Sequence, residues 1–287
     1  MNDSCDKGSV LITGCSSGIG LTTSVYLAQR GWNVVPSMRN PARGDALLEA
    51  YEAAGLAPPA ILRLDATDAA SVKEAVEQAP RLAAIVANAG IGDSGCFEDF
   101  EDEHCRRVME TNFFGTLSLA RAVLPQMRAQ EHGRLVILSS LVGISGAPGT
   151  SMYAASKFAL EGWVEGIVCE LRAFNISVSL IEPGNHKTSI FEKLTVASRP
   201  GSDYRAMTTL LTNMSRGKFS INGADPRHVS VAIAHAIESS RPRMRYRVGN
   251  DAKMAGIMRR LLPDSARIAM IEKAVGMRNW RRPNAKK

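Results

Sequence analysis

Ser9-Val10-Leu11-Ile12-Thr13-Gly14-Cys15-Ser16-Ser17-Gly18-Ile19-Gly20 reads as a short buried strand, a glycine-rich turn and the opening of a helix. Val10, Leu11 and Ile12 run without a polar interruption, which suits a strand covered on both faces. Glycines at 14, 18 and 20 permit a tight turn, close approach of the backbone to a pyrophosphate, and close helix–strand packing. Free amides at the helix start attract negative charge. The spacing is GxxxGxG, and no Gly-Lys-Ser/Thr follows, which disfavours a P-loop nucleotide hydrolase. A glycine turn alone is a common string. Between a first strand and a first helix it points to dinucleotide binding.

The rest of the chain repeats that strand–helix rhythm. Strands are expected at Ser9–Thr13, Asn33–Met38, Ala60–Asp65, Leu82–Ala87, Arg134–Ser139, Ser177–Glu182 and Met244–Val248. Helices are expected at Gly18–Arg30, Ala42–Ala54, Ala69–Gln78, Phe100–Gln130 and Tyr153–Phe174. The alternation, with apolar runs too continuous for one-sided burial, predicts an α/β domain with a parallel sheet covered by helices on both faces. The segment from Asn185 to Asp225 breaks the rhythm and carries apolar side chains such as Ile190, Leu194, Leu210 and Leu211, as a lid or binding loop does. Beyond the last strand, residues 251–287 form a basic extension with two amphipathic helices, Ala252–Leu262 and Ala266–Val275, expected to pack on the body.

The chain of 287 residues carries a formal charge of +7, gathered in Arg241, Arg243, Arg245 and Arg247, in Arg259-Arg260, and in Arg278, Arg281-Arg282 and Lys286-Lys287. With no nucleic-acid module beside it, this reads as a solvated surface and tail, leaving a weak contact with an anionic membrane open. The polar start Met1–Gly8 has no signal-peptide pattern, and the five scattered cysteines never form CxxC. A reducing, cytoplasmic setting is expected, with neither a disulfide framework nor a zinc site.

Tyr153-Ala154-Ala155-Ser156-Lys157 places a phenol and an ammonium four residues apart, on one face of a helix. Free tyrosine and lysine titrate near ~10 and ~10.4, so neither is poised for proton transfer at neutral pH. A lysine cation held close to the phenol is expected to lower the tyrosine pKa. Cofactor choice follows from charge. An acidic residue ending the second strand would bind ribose hydroxyls; this strand ends instead at Met38-Arg39-Asn40. Arg39, helped by Arg43 and Ser17, offers a guanidinium suited to a 2′-phosphate, so NADP(H) is expected over NAD(H).

Taken in order, Thr13–Gly20, Asp65, Asn88-Ala89-Gly90, Asn112, Ser140, Tyr153-x-x-x-Lys157 and Pro183-Gly184 with Thr188 resemble the short-chain dehydrogenase/reductase family over residues 8–250. The resemblance implies one Rossmann-like, doubly wound domain with a seven-stranded, mostly parallel sheet. It implies that Tyr153 is the general acid/base, that Lys157 holds the nicotinamide ribose and keeps Tyr153 acidic, and that Ser140, with Ser139 as the competing candidate, orients the substrate oxygen. Asn112 would hold a water linking Lys157 to solvent, and no metal is needed. Gly14, Ser16, Ser17, Gly18, Ile19 and Gly20 would cradle the cofactor phosphates. Asp65, beside Ala66, would bind adenine, and Asn88, Ala89 and Gly90 would pack along the adenosine. Pro183, Gly184, His186 and Thr188 would wrap the nicotinamide. The family usually has an apolar residue at 186, so His186 also reads as a substrate-facing or an exposed loop residue.

Tyr153–Gly162 (YAASKFALEG) and Ile181-Glu182-Pro183-Gly184 resemble the branch containing 17β-hydroxysteroid and retinol dehydrogenases. That resemblance implies a hydrophobic secondary or allylic alcohol and its carbonyl, met by Ser140, Leu141 and Tyr153. Small ketones, β-ketoacyl thioesters and sugars stay open, as does a nucleotide-binding sensor or scaffold without chemistry. The resemblance also implies a homodimer or homotetramer paired through the two long helices.

Overall fold

The computed structural model describes residues 7–280 except 189, 191, 198, 220–222 and 279. Arg281, Arg282, Lys286 and Lys287, named above, and Cys5, one of the five cysteines, therefore lie outside the described residues. The first half of the chain builds β1 (Ser9–Thr13), α1 (Gly18–Gln29), β2 (Asn33–Met38), α2 (Asp45–Ala53), β3 (Leu62–Arg63), α3 (Ala69–Gln78) and β4 (Leu82–Ala87). A short β5 (Asp93–Ser94) precedes α4 (Asp102–Met109), α5 (Gly115–Ala129), β6 (Gly133–Leu138) and a one-turn α6 (Leu141–Ile144). Then come α7 (Ser151–Arg172), β7 (Ile176–Pro183), β8 (Thr195–Val196) and α8 (Arg205–Met214). The chain continues with α9 (Arg227–Glu238), β9 (Arg245–Val248), α10 (Asn250–Leu261) and α11 (Asp264–Ala274).

Seven strands form one sheet in the order β3-β2-β1-β4-β6-β7-β9, every neighbouring pair parallel. Period-two alternation divides the side chains between two cores. Val10, Ile12, Val34, Val86, Val136 and Ile181 join one with Leu27 of α1 and Ile233 of α9. Leu11, Val35, Ile85, Ile137 and Leu180 join the other with Leu119 of α5 and Leu160 of α7. Strand order reverses at β1, between β2 and β4, and ligands of such sheets bind in the crevice outside that switch point.

Three expectations change. The third strand shrinks to two residues, because it is an edge strand entered from Pro58-Pro59, which lack the amides a ladder needs. The single helix expected over Phe100–Gln130 is α4 and α5 joined by a π-helical turn, Glu110–Phe114. The lid region contributes β8, which pairs with β5 in a separate two-stranded sheet, a pairing too short to show as hydrophobic alternation.

Half of the arginine run after α9 is not a free basic surface. Arg245 bonds Glu161 and Glu165 of α7 at 3.0 and 2.6 Å, and Arg247 bonds buried Glu182 at 3.0 Å. Helix α10 is not peripheral either. Ala252 is fully buried, and Arg259 donates to the carbonyl of Ile144 at 2.5 Å while stacking over Phe158.

Candidate active site

The glycine turn leaves β1 at the switch point. Gly14 takes φ +74° and Gly18 φ +58°, a region that penalises other residues. A Cβ on Gly20 would come within 2.6 Å of the Asn88 amide, so strand and helix meet there only through glycine. Asn88 braces the turn by donating to the carbonyls of Thr13 and Gly14, at 2.8 and 3.3 Å. The Thr13 hydroxyl accepts from the amides of Asn88 and Ala89, at 3.0 and 2.9 Å. The side chain of Asn88 is therefore spent on the protein. Ser16, Ser17, Gly18 and Ile19 stay half-exposed at the N-terminus of α1. This open, amide-lined cradle fits a pyrophosphate. Lys193 of the lid, which the sequence reading did not single out, reaches Ser17 Oγ at 3.3 Å and brings a cation to the same turn.

At the adenosine end, Arg39 is exposed past the end of β2. Burial works to raise the Asp65 carboxyl, but hydrogen bonds from Thr67 and the charges of Arg39 and Arg63 hold it below its ordinary range. Asp65 Oδ1 accepts from the Thr67 amide and hydroxyl at 3.0 and 2.8 Å, so this oxygen shapes its own loop. Ala66 packs against the start of α5, where only Gly115 leaves room. The guanidinium of Arg39 and the Asp65 carboxylate thus share one corner of the crevice.

Tyr153 and Lys157 stand one turn apart on α7, with Lys157 Nζ 5.6 Å from the phenol centroid. Ser140, the N-cap of α6, stands close enough to the phenol to lower its pKa, whereas the Ser139 hydroxyl is buried beneath Gly143. Burial pushes the Tyr153 phenol up to about 12, with Ser140 pulling it down and Asp93 pushing it further up. Burial lowers Lys157 to about 8 against the pull of Glu161, and its ammonium donates to the Leu138 carbonyl at 2.7 Å. The expected acidification of the phenol by its lysine is therefore outweighed here by desolvation.

Asn112 lies fully buried in the π turn. Its Oδ1 accepts from the Ile91 amide at 2.8 Å, and its Nδ2 donates to the Ile91 carbonyl and to Ser156 Oγ at 2.9 and 3.0 Å. Ser156 in turn donates to the Tyr153 carbonyl at 2.7 Å. The side chain of Asn112 is saturated by protein, tying the Gly90-Ile91 loop to α7. A mid-helix asparagine with three such partners explains the π bulge, which single-residue propensity does not show.

Pro183 ends β7 with Gly184 directly after it, and Asp251 of α10 accepts from the Asn185 amide at 2.6 Å. His186 is buried, not on the loop surface; Nδ1 lies 3.1 Å from the Gly184 carbonyl and the ring meets His228 edge-on. Thr188 follows, half-buried. Leu141 sits beside Ser140, and Ile190 and Leu194 of the lid press on Gly92. Asp93, Lys193 and Asp251 escaped the sequence reading because lone charged residues carry no signal until the fold brings them to the crevice.

The chain belongs to the short-chain dehydrogenase family, whose model matches residues 8–198. It is an oxidoreductase acting on CH–OH groups, in the branch that holds retinol and 17β-hydroxysteroid dehydrogenases. Retinol dehydrogenase 8 of Bos taurus is 36% identical over 250 residues, covering 83% of this chain and 80% of its own. A 3-ketodihydrosphingosine reductase of Bacteroides thetaiotaomicron is 32% identical, over 84% of this chain and 87% of its own. A short-chain dehydrogenase from Streptomyces avermitilis superposes with a TM-score of 0.77 at 28% identity, over 94% of this chain and 97% of its own. A family structure from Burkholderia phymatum, in complex with NAD, shares the fold with a TM-score of 0.76 at 19% identity, over 98% of both chains.

Proposed function

We propose that this enzyme interconverts a hydrophobic secondary or allylic alcohol, steroid- or retinol-like, and its carbonyl with NADP(H), Tyr153 serving as general acid/base. The observation that carries the reading is the convergence of Tyr153, Ser140 and Lys157 beside an open phosphate cradle. A bound nicotinamide supplies the hydride for the carbonyl carbon, or accepts it from the carbinol carbon. In reduction Tyr153 Oη gives its proton to the carbonyl oxygen; in oxidation it takes the hydroxyl proton. Ser140 fixes that oxygen within reach, Lys157 holds the ribose hydroxyls, and Asn112 keeps the Gly90-Ile91 turn in register with α7.

Arg39, with no carboxylate ending β2, favours the 2′-phosphate cofactor. Leu141, the lid residues Ile190 and Leu194, and relatives named retinol and 17β-hydroxysteroid dehydrogenases favour an apolar substrate. A reductase of small ketones or β-ketoacyl thioesters is the alternative, favoured by the relative named 3-ketodihydrosphingosine reductase. The test is NADPH- and NADP⁺-linked turnover over steroids, retinoids, acyl thioesters and simple ketones, with Tyr153→Phe as control. Apolar alcohols or ketones should turn over and the variant should be inert while still binding NADPH. Turnover of sugars alone would reject the substrate class, and a fully active variant the chemistry.

The unpaired Cys15, Cys96, Cys105 and Cys169 suit a reducing setting such as the cytoplasm. Pairing of α5 and α7 into a dimer or tetramer is supported by Gly162 and Gly166, which leave the α7 backbone open one turn apart. A membrane-surface contact is favoured by Met254, Ile257 and Leu261, an exposed stripe on α10 among Lys253 and Arg260. Among the described residues no helix is long and apolar enough to cross a membrane. Flotation of the full chain with anionic vesicles, lost in Leu261→Glu, tests that contact.

A further inference from the structure

Asp93 belongs to none of the motifs, yet it is fully buried against the catalytic helix. Its Oδ2 accepts from the backbone amide of Tyr153 at 3.0 Å, in the first turn of α7, where an anion meets the positive end of the helix dipole. Its Oδ1 has no hydrogen-bond partner. Tyr153 is thus held at both backbone ends, by Asp93 through its amide and by Ser156 through its carbonyl.

The group placed to neutralise Asp93 is His104 of α4, whose Nε2 lies 3.9 Å from Oδ2. An arginine can only donate, and Arg107 reaches His104 Nδ1 at 3.0 Å, so Nδ1 accepts and the ring proton sits on Nε2. Burial, then the charge of Arg107, lowers the His104 pKa, keeping the ring neutral. At 3.9 Å the Nε2–H is also too far for a direct hydrogen bond. The remaining titratable neighbours are Cys105 of α4, whose thiol the carboxylate helps to raise, and Tyr153 itself. Lid elements reach this loop through uncharged hydroxyls, Thr212 to Ser94 Oγ at 2.9 Å and Thr208 to the Cys96 amide at 3.3 Å. Burial raises Asp93 to about 6, against the hydrogen bond from the Tyr153 amide, so near pH 7 the group is chiefly carboxylate.

We propose that Asp93 is a positioning residue for Tyr153: its carboxylate, unneutralised by His104, anchors the first turn of α7 and opposes loss of the phenol proton, biasing the site toward the proton-donating form that carbonyl reduction uses. The proposal rests on Tyr153 being the proton donor. A buried negative charge beside an acid raises that acid's pKa, and the anchoring amide belongs to the residue being tuned.

The test is the pH dependence of kcat/KM in both directions for wild type and Asp93→Asn. Asparagine can keep an acceptor for the Tyr153 amide while deleting the charge. Both the acidic limb of oxidation and the basic limb of reduction should move to lower pH, by on the order of one unit. Superimposable limbs, or a move to higher pH, overturn the proposal. Asp93→Ser, uncharged and smaller, gives the same readout if the amide variant does not fold. Tyr153→Phe separates the two levels of inference. Full activity in that variant defeats the reading of Tyr153, whereas an inert Tyr153→Phe with unshifted limbs in the Asp93 variants defeats the role of Asp93 alone.

Discussion

Asp251 and Gly184 compete for one space: the α10 carboxylate fills the position that a Cβ on the glycine would occupy. The same carboxylate accepts from the amides of Asn185 and Ala252, at 2.6 and 2.9 Å. A helix beyond the last strand therefore sets the loop expected to wrap the nicotinamide. Gly184→Ala must displace Asp251, and overpacking of this kind costs ~1–3 kcal/mol, to be read in a denaturant midpoint. Asp251→Ala leaves the cores intact but frees the loop, so kcat should fall, and KM for NADPH rise, by ~10-fold or more. Unchanged kinetics in Asp251→Ala would remove the helix from the site. Truncation at Val248 should inactivate the enzyme for this reason, whatever the fate of any membrane contact.

On the proposed NADP(H) reading, cofactor discrimination rests on the exposed guanidinium of Arg39. Arg39→Ala should lower kcat/KM for NADPH by ~10- to 100-fold, the loss of one charge-assisted phosphate contact, and leave the NADH value nearly unchanged. Lys193 touches the cradle from the lid, so Lys193→Ala should weaken both cofactors alike. Equal losses in the two variants for both cofactors would place Arg39 on the pyrophosphate, not the 2′-phosphate.

The parallel sheet was legible because Val10-Leu11-Ile12 and its counterparts are uninterrupted and their alternation fills two cores. The cradle was legible because Gly14 and Gly20 meet constraints that no other residue satisfies. The π turn, β8 and the buried state of His186 were not. Each depends on partners distant in sequence: Ile91 for Asn112, Asp93 for Thr195, and His228 for His186. The arginine alternation in β9 misled for the same reason, since Glu161, Glu165 and Glu182 neutralise it from other elements.

Ser139 and Ser140 differ in what their hydroxyls meet. Ser140 acts on the phenol and lowers its pKa, while Ser139 Oγ is buried beneath Gly143 and has no hydrogen-bond partner. Ser140→Ala should cut kcat by ~10²-fold with little change in NADPH affinity, the magnitude lost when one group orienting a reacting oxygen is removed. Ser139→Ala removes a hydroxyl that bonds nothing and should keep most of the activity. The reverse ranking would exchange their roles.

Lys157 is held at a cost to stability. Its ammonium is buried with the Leu138 carbonyl as its hydrogen-bond acceptor, and desolvation lowers its pKa to about 8 from the ordinary 10.5. Between those values the unfolded chain binds a proton that the native chain does not, so this group makes stability rise with pH across that window. Below about pH 8 both states are protonated, and the full penalty, on the order of 3 kcal/mol, remains. Lys157→Met, similar in length and uncharged, should therefore unfold at higher urea than wild type near pH 7, and the advantage should shrink toward pH 10.5. Buried Cys15 and Tyr51, whose raised pKa values give wild type an opposite slope in alkali, are common to both proteins and cancel in the difference. The same variant should be inactive, having lost the cation proposed to hold the ribose. A stability difference independent of pH would show that Lys157 titrates normally in the fold.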